Sequence, residues 1–405
     1  MIYPRFINSL DSYSRLRQGG ELRYRFRSIL KSFLPVASLA KLSSPCSCLL
    51  TDVLILHPTD RSRGRLDVLI KALESRGVVV RCHCVDSAAS ILLRRKLKPA
   101  NDAAVPRRWR IQHYYAEWLM SKYAPRLVLT FMDDNLVTPF LRDRTRAKGA
   151  ILVNSAHSLC WSSLDFSMLD VDWFIVFGRS SMERLKNNPQ RYGHTKFKVL
   201  GSPFLDSYPS LSPISKTHTD HYVVKTVVWL DQISSGDRYK DQRKWQHFNI
   251  FLKWVVSRPE ITALIRPHPE SSGILLKRIR RLNLTLLPSG QSLSESLAGV
   301  DVAVTSFSSA LIEAAALGVP GICFKQIGLD GVNCMSDFGF EAVTDEAELN
   351  AAFKRVAACY GAAQQSATSL ALEHLERLEN ASPHIAEFLL ELINGGPTIA
   401  ADGQV

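Results

Sequence analysis

Short apolar segments, each followed by a polar turn, recur along most of this 405-residue sequence. In the stretch 262–324, the segments 262–265 and 300–304 have the length of buried parallel strands. A helical segment then leads into the next apolar run, which is the repeat of a parallel α/β sheet. This order constrains the chain to a sheet whose strands all end at one edge, where ligands bind in open α/β folds.

The same order begins at residue 52 and is interrupted once, by a segment rich in Ser, Pro and Thr. A chain of this length is too long for one ordinary hydrophobic core. We therefore predict an α/β protein of two doubly wound, Rossmann-like domains that face each other across a cleft. The predicted segments are a first domain over 49–206, a linker over 207–220, a second domain over 221–330, terminal helices within 331–395 (at 346–360 and 364–393) and a frayed tail over 396–405.

Residues 1–48 form a basic leader, in which seven Arg and Lys residues between positions 13 and 48 are opposed only by Glu21. Aromatic and aliphatic residues are interleaved with them, as in helices that lie on an anionic membrane surface. A loosely ordered leader is the alternative, and the residues leave both open. No apolar run approaches the roughly 18–20 residues of a membrane span. We predict a cytoplasmic protein, held to the inner face of the membrane by residues 1–45 in the first case.

A histidine lies directly after the predicted strand at 262–265, flanked by two prolines that restrict the local backbone. This His268 can donate a hydrogen bond to a phosphate oxygen, and Arg266 beside it adds positive charge. A histidine in a structural turn is the alternative. The formal net charge of +12 suits anionic partners in general, but it does not select one class.

Three serine hydroxyls follow the predicted strand at 300–304, directly before a predicted helix over 310–317. Together with the free N–H groups of the helix start, Ser306, Ser308 and Ser309 would form an uncharged phosphate cradle. An ordinary helix cap needs only one of them. Glu313, one turn into the helix, either accepts hydrogen bonds from a ribose diol or favours the helix amino end.

Two adjacent aspartates follow the predicted strand at 127–131 in the first domain. A carboxylate pair at a strand end can take a proton from a hydroxyl, with one group as the base and the other orienting it, so Asp133 or Asp134 is a candidate general base. Capping of a helix by these side chains is the alternative. His157, which follows another predicted strand, is the alternative base.

These motifs together resemble the donor half of GT-B glycosyltransferases. The similar segments are 266–269, 301–306, Glu313-Ala314 and 317–320. More narrowly, the sequence resembles bacterial capsule and surface-polysaccharide transferases, including sialyl- and polysialyltransferases and CDP-glycerol glycerophosphotransferases. Their acidic pair, His-Pro pair and Ser pair have counterparts here, with Asn135 in place of a glycine. The resemblance implies that one aspartate is the base, that His268 holds the donor phosphate and that the serines assist.

The predicted function is metal-independent, inverting transfer of a sugar from a nucleotide-activated donor, with a CMP-sugar slightly favoured. The acceptor would be a surface or capsular polysaccharide or a lipid-linked glycan. Cysteine and histidine spacings match no zinc motif, so we expect no metal, and no cofactor beyond the nucleotide-sugar substrate. No nucleic-acid reader motif is present, so nucleic acid is not an expected partner. The alternatives are an enzyme like the non-hydrolysing UDP-GlcNAc 2-epimerases and a non-catalytic glycan- or nucleotide-binding protein.

Overall fold

The protein divides into two compact units in a computed structural model. The first comprises Met1–Ser207 and Asn380–Val405, and the second comprises Tyr208–Glu379. The structure describes residues 41–42, 47–57, 63–86, 97–98, 109–131, 137–160, 169–187, 194–208, 223–232, 238–268, 279, 284–288, 291–325 and 335–395. Most of the predicted leader and linker, the predicted tail and the Asp133–Asp134 pair therefore lie outside the described residues.

The first unit is built on a six-stranded parallel sheet with the order β3-β2-β5-β6-β7-β8. A short antiparallel pair, β1 with β4, is separate from it. The strands are β1 (Lys41–Leu42), β2 (Thr51–His57), β3 (Val80–Cys84), β4 (Leu97–Lys98), β5 (Pro125–Thr130), β6 (Ile151–Ser155), β7 (Trp173–Val176) and β8 (Lys196–Val199). The helices are α1 (Asp67–Glu74), α2 (Arg110–Tyr123), α3 (Val137–Ala147) and α4 (Arg179–Lys186), with a 3₁₀ turn at Leu205–Ser207.

The second unit has its own six-stranded parallel sheet, with the order β11-β10-β9-β12-β13-β14. Its strands are β9 (Thr226–Leu230), β10 (Thr262–Arg266), β11 (Thr285–Leu286), β12 (Val302–Thr305), β13 (Gly321–Phe324) and β14 (Glu341–Val343). Its helices are α5 (Arg238–Val256), α6 (Leu293–Leu297), α7 (Ala310–Ala316), α8 (Glu346–Ala358) and α9 (Tyr360–His374), with a 3₁₀ turn at Met335–Phe338. The last helix of the chain, α10 (Ala381–Asn394), belongs to the first unit.

Continuous apolar runs form the central strands because both faces of each sheet are covered. In the second unit, Trp229 of β9 packs against Phe248 and Phe251 of α5, with ring centroids 5.2 Å apart in each pair. Trp254 contacts Phe353 of α8 at 5.0 Å on the same side of the sheet. These aromatic contacts orient α5, whose amino-terminal half therefore lies near the carboxyl ends of the strands.

The predicted α/β class with two Rossmann-like parts is confirmed, but the predicted helix over 364–393 is wrong. Helix α9 ends at His374, and α10 begins at Ala381. The break coincides with the return of the chain from the second unit to the first. Asn380, which precedes α10, adopts a left-handed conformation with φ of 59°. The carboxylate of Asp206 accepts hydrogen bonds from the backbone N–H groups of Ala381 (3.0 Å) and Ser382, and so caps α10.

None of the described helices combines the length and the apolar character that a bilayer crossing requires.

Candidate functional site

Three adjacent strands of the second unit end at the same level. In the strand register, Leu230 of β9 pairs with Arg266 of β10 on one side and with Thr305 of β12 on the other. Neighbouring strands lie about 4.8 Å apart, so the ends of β10 and β12 are separated by roughly 10 Å. We call the residues at and just beyond this level the polar edge: Asp231, Gln232, Arg266, His268, Ser306, Ser308 and Ser309. The structure thus brings the two predicted phosphate-binding segments to one edge of one sheet.

Arg266 is held in place by the helix that follows β11. Its Nε donates a hydrogen bond to Oγ of Ser296 at 3.2 Å, and that hydroxyl donates to the carbonyl of Ser292 at the start of α6. The carbonyl of Arg266 accepts from the backbone N–H of Asp231 at 3.0 Å. His268 follows two residues later and is half-buried. The guanidinium is therefore anchored at the edge, two residues before His268 in the chain.

The serine turn is closed by the last residue of β12. Oγ1 of Thr305 donates to the carbonyl of Leu230 at 2.9 Å and accepts from the backbone N–H of Ser308 at 3.2 Å. Oγ of Ser308 accepts from the backbone N–H of Ala310 at 3.3 Å. Ser309 occupies the cap position of α7 without a side-chain cap bond. Both serines are half-buried, so their hydroxyls lie close to the surface of the edge.

Ser306 has a different environment from the other two serines. It is fully buried, and its Oγ lies 2.7 Å from Nδ1 of His247 in α5. The imidazole stacks on Phe324 of β13, with ring centroids 4.7 Å apart and an interplanar angle of 10°. Burial, assisted by the charge of Arg243, lowers the pKa of His247 to about 4. The ring is therefore neutral at neutral pH, and its hydrogen bond fixes the serine turn on the side of α5.

The end of β9 carries a buried ion pair that the sequence did not indicate. Nζ of Lys244 lies 3.2 Å from Oδ1 of Asp231, and both side chains are buried. The same ammonium donates to the backbone carbonyl of Gln232. Lys244 therefore holds the backbone between Arg266 and the serine turn in one position.

Glu313 accepts a hydrogen bond from the hydroxyl of Tyr208. Glu313 lies on α7 and is half-buried, and Tyr208 is the first residue of the second unit. The sequence prediction placed Tyr208 in a linker and gave it no role. The contact orients the carboxylate one turn after the serines.

The candidates of the first unit are less completely described. Asp133 and Asp134 lie outside the described residues, so their role as a base stays a prediction. His157 is exposed and follows β6 by two residues. The neighbouring Asn154 is buried, and its Oδ1 accepts a hydrogen bond from Oγ1 of Thr130 at 2.8 Å. His157 thus stays a candidate base. It lies just beyond β6, whose last polar residues, Asn154 and Ser155, are buried in the core.

The prediction of metal-independent transfer assumed that the sequence has no Asp-x-Asp motif, which is wrong because Asp170 and Asp172 form one. In the structure, the Asp172 carboxylate forms an ion pair with the buried Arg142, and Asp170 lies 3.8 Å from the Nε of the same arginine. Oδ2 of Asp172 also accepts from the backbone N–H of Leu152 at 2.9 Å. Both carboxylates therefore take part in structural contacts within the first unit. Within the described ranges, no three His, Cys, Asp or Glu side chains group as metal ligands would.

No protein-family model matches the sequence, and a search of curated proteins finds no match. Solved structures do resemble the fold. S. aureus MnaA in a co-structure with UDP has a TM-score of 0.58 and 11% identity, over 85% of this chain and 97% of that chain. Sucrose-phosphate synthase from Thermosynechococcus elongatus has a TM-score of 0.55 and 14% identity, over 85% and 100%. A putative UDP-N-acetylglucosamine 2-epimerase from Listeria monocytogenes has a TM-score of 0.53 and 12% identity, over 84% and 96%.

At these identities, the likeness defines the fold alone. The chain has the two Rossmann-like domains of the GT-B fold class, as the sequence predicted. The narrower resemblance to sialyl- and CDP-glycerol-type transferases stays a prediction.

Proposed function

We propose that this protein is a glycosyltransferase whose second unit binds the phosphates of a nucleotide-activated sugar at the polar edge. The observation that carries the proposal is the common end level of β10, β9 and β12. It places Arg266 and His268 on one side and Ser308 with Ser309 on the other, about two strand spacings apart. The phosphates of one nucleotide can bridge that separation.

The chemistry of these side chains suits a leaving nucleotide. As the bond from the anomeric carbon to the phosphate oxygen breaks, negative charge develops on that oxygen. Arg266 contributes a fixed positive charge, and His268 contributes an N–H donor; hydrogen bonds from such groups to phosphate are among the strong ones. Ser308 and Ser309 add neutral donors. Helix α7 has only seven residues, so we assign the hydroxyl and cationic side chains, rather than its dipole, the main part in phosphate binding.

The identities of the donor's nucleobase and of the acceptor are also proposals. MnaA was solved with UDP, and the Listeria neighbour is named for a UDP-sugar. These two likenesses support testing UDP beside the CMP that the sequence motifs favour. For the acceptor we keep a surface or capsular polysaccharide or a lipid-linked glycan, reached by the basic leader at an anionic membrane surface.

For the reaction, we propose inversion without a metal. The acceptor hydroxyl oxygen attacks the anomeric carbon while the bond to the nucleotide phosphate breaks, and the hydroxyl proton passes to a base. Asp133 or Asp134 is the proposed base, and His157 is the alternative. Asp133→Asn or Asp134→Asn should abolish transfer and leave donor affinity unchanged. If both variants retain normal rates and His157→Ala is inactive, the histidine takes this role.

A second candidate function is epimerisation of a UDP-sugar, favoured by the fold likeness to the putative Listeria epimerase. The two functions differ in their need for an acceptor. An epimerase converts the nucleotide-sugar alone, whereas a transferase releases nucleotide in proportion to an added acceptor. Incubation of purified protein with UDP-N-acetylglucosamine, followed by chromatography of the sugar nucleotide, separates them.

The donor site is tested by thermal shift with CMP, CDP, UDP and GDP. One nucleotide should raise the Tm of the wild type, and His268→Ala should weaken its binding about tenfold to a hundredfold, the range for a lost hydrogen bond to a charged group. The matched control is His384→Ala, since His384 is an exposed histidine of the first unit. The unliganded Tm should be nearly equal in all three proteins. If no nucleotide shifts the wild type, or His268→Ala binds normally, the proposal is wrong.

A further inference from the structure

Gln232 has a property that no other described side chain shares: both polar atoms of its amide are buried without a hydrogen-bond partner. The residue is only 6% exposed. A buried polar group without a partner costs about 1–3 kcal/mol, and here both a donor and an acceptor are affected. Because both atoms lack partners, exchange of the amide nitrogen and oxygen would not remove the problem.

The backbone around Gln232 is held by hydrogen bonds, so the lack of partners for the amide does not result from a poorly fixed loop. Its carbonyl accepts a hydrogen bond from the buried Lys244, whose ammonium also pairs with Asp231. The N–H of Asp231 is bonded to the carbonyl of Arg266. Gln232 therefore lies at a fixed position in the middle of the polar edge, between Arg266 and the serine turn.

Strand alternation separates the two faces of this edge. Trp229 and Asp231 both contact α5, through Phe248 and Lys244 respectively. Successive side chains point to opposite faces, so continued alternation places Gln232 on the other face. That is the face on which Arg266 bonds to Ser296 of α6. On the α5 face, Asp231 pairs with Lys244 and Ser306 bonds to His247. The opposite face carries Arg266 together with an amide that lacks partners.

The chemistry of the amide restricts its ligand. A phosphate at neutral pH offers acceptors, so it would satisfy the NH₂ group and leave the carbonyl oxygen without a donor. A hydroxyl group both donates and accepts, and two neighbouring hydroxyls can pair with both amide atoms. On the basis of the proposed donor site, we propose that Gln232 is a specificity-determining residue that binds a hydroxyl pair of the nucleotide-sugar.

Such a pair has two sources in the same ligand, the ribose and the transferred sugar. Because the amide is buried in the unliganded chain, the ligand must select a state in which the edge has opened to it. Gln232 would then discriminate by hydroxyl pattern, whereas Arg266 and His268 contribute affinity for any phosphate. A site that pairs with substrate hydroxyls rejects analogues that lack them, because its own polar groups are then left unpaired.

The test uses Gln232→Met, which keeps the length of the side chain and removes both polar atoms. Titration calorimetry compares the nucleotide that best stabilises the wild type with its 2′-deoxy form and its sugar conjugate. If the pair is on the ribose, the variant should bind the free nucleotide about tenfold more weakly than the wild type does, as expected for the loss of two neutral hydrogen bonds. Binding of the 2′-deoxy form, which keeps one of the two hydroxyls, should weaken less. If the pair is on the sugar, the conjugate alone should weaken about tenfold. Either result supports the proposal.

Stability provides the second measurement. Gln232→Met removes two unpartnered buried atoms, so the unliganded Tm should stay equal or rise. Gln364→Met is the control, since Gln364 lies in the same unit and donates to the Tyr360 hydroxyl at 3.4 Å; it should leave ligand binding unchanged. Gln232→Leu repeats the test with a second apolar side chain.

Three outcomes overturn the proposal. The first is equal binding of all three ligands by Gln232→Met and the wild type. The second is a large fall in unliganded Tm for both apolar variants, which would make the amide structural. The third is equal weakening of inorganic pyrophosphate binding, which would contradict a hydroxyl contact. If instead the wild type binds no nucleotide at all, the proposed donor site fails, and that result is distinct from a Gln232 variant that binds normally.

Discussion

The carboxyl edges of the two sheets have different chemistry although the sheets share their size and parallel arrangement. In the first unit, Phe131 and Phe177 follow β5 and β7, and both pack against Phe204, with ring centroids 5.7 and 6.3 Å apart. Arg65 lies over the Phe204 ring at 4.4 Å. In the second unit, Asp231 directly follows β9, Ser306 directly follows β12, and His268 lies two residues beyond β10. Two parallel six-stranded sheets can therefore end in an aromatic cluster or in a polar edge, because the chemistry of an edge depends on the residues at the strand ends rather than on the fold class.

The second unit's edge is itself asymmetric. Facing α5, Asp231 pairs with Lys244 and Ser306 bonds to His247, so polar groups on this side stabilise each other. On the other face, the amide of Gln232 is not stabilised within the described part of the chain. If the proposed donor site is correct, this edge combines a rigid support with groups that the ligand would complete, which is the arrangement that precise binding requires.

The largest effect should come from breaking the buried support. Lys244→Met leaves the Asp231 carboxylate buried and without its ammonium, which costs about 3–5 kcal/mol of unfolding free energy. The control is Arg355→Met, because the Arg355–Glu341 pair is exposed and such pairs contribute at most about 1 kcal/mol. Urea denaturation measures both. A loss below about 1 kcal/mol for Lys244→Met would show that the pair does not support the polar edge.

Phe204→Ala tests the aromatic edge of the first unit. Phe204 is buried against Phe131 and Phe177, so truncation should destabilise the protein by about 3 kcal/mol through lost burial and the cavity left behind. Because the residue is in the first unit, nucleotide affinity of the folded protein should not change. His268→Ala should show the opposite behaviour, with normal stability and weak binding. A Phe204→Ala protein that is stable but binds nucleotide poorly would remove the contrast between the two edges.

The apolar strands and the polar residues at their ends could be predicted, because both are local signals. Arg266, His268 and the serines follow short buried runs, and parallel strands necessarily bring such ends to one edge. Their partners could not be predicted. His247 is 59 residues from Ser306, and Tyr208 is 105 residues from Glu313, so these contacts depend on how helices pack rather than on sequence spacing.

One signal for the serines was present but unused. Residues of β12 alternate between the faces of the sheet, so Ser306 is on the face of Val302 and Val304, which belong to the same apolar core as Phe248 and Phe251 of α5. That alternation predicts the burial of Ser306, which directly follows the strand, but it does not apply to Ser308 and Ser309, which lie further along the turn. No comparable signal exists for Gln232, since its lack of partners is a property of the packed edge alone.

The pH dependence of stability should report the buried histidine. The pKa of His247 falls from 6.5 to about 4 on folding, so the unfolded chain binds more protons between these values. Stability contributed by this residue is therefore present above pH 6.5 and is lost as the pH falls towards 4. Between pH 7.5 and 5 the loss should be about 1–2 kcal/mol. His247→Gln keeps a hydrogen-bonding side chain without the titration.

The comparison of wild type and His247→Gln isolates this contribution, because all other titrating groups are shared. The loss of unfolding free energy between pH 7.5 and pH 5 should be smaller in His247→Gln than in the wild type, by about 1–2 kcal/mol. Identical pH dependence in the two proteins would place the imidazole in contact with solvent, and the α5 face of the polar edge would then not be closed.

The cap that joins distant parts of the first unit should have an effect no larger than that of His247. Asp206 accepts hydrogen bonds from the first two residues of α10, 175 residues later in the chain. Asp206→Ala should lower the free energy of unfolding by about 1–2 kcal/mol, at the upper end for a helix cap because these bonds are part-buried. Asp206→Asn should restore most of the lost stability.

The control is Asp345→Ala in the second unit, where an exposed bond to the backbone N–H of Glu348 caps α8 locally. That change should cost about 0.5–1 kcal/mol. Equal losses in urea denaturation would mean that long sequence separation and burial add nothing, and α10 would be held to the first unit by apolar contacts such as that of Phe388 with Trp173 at 5.2 Å.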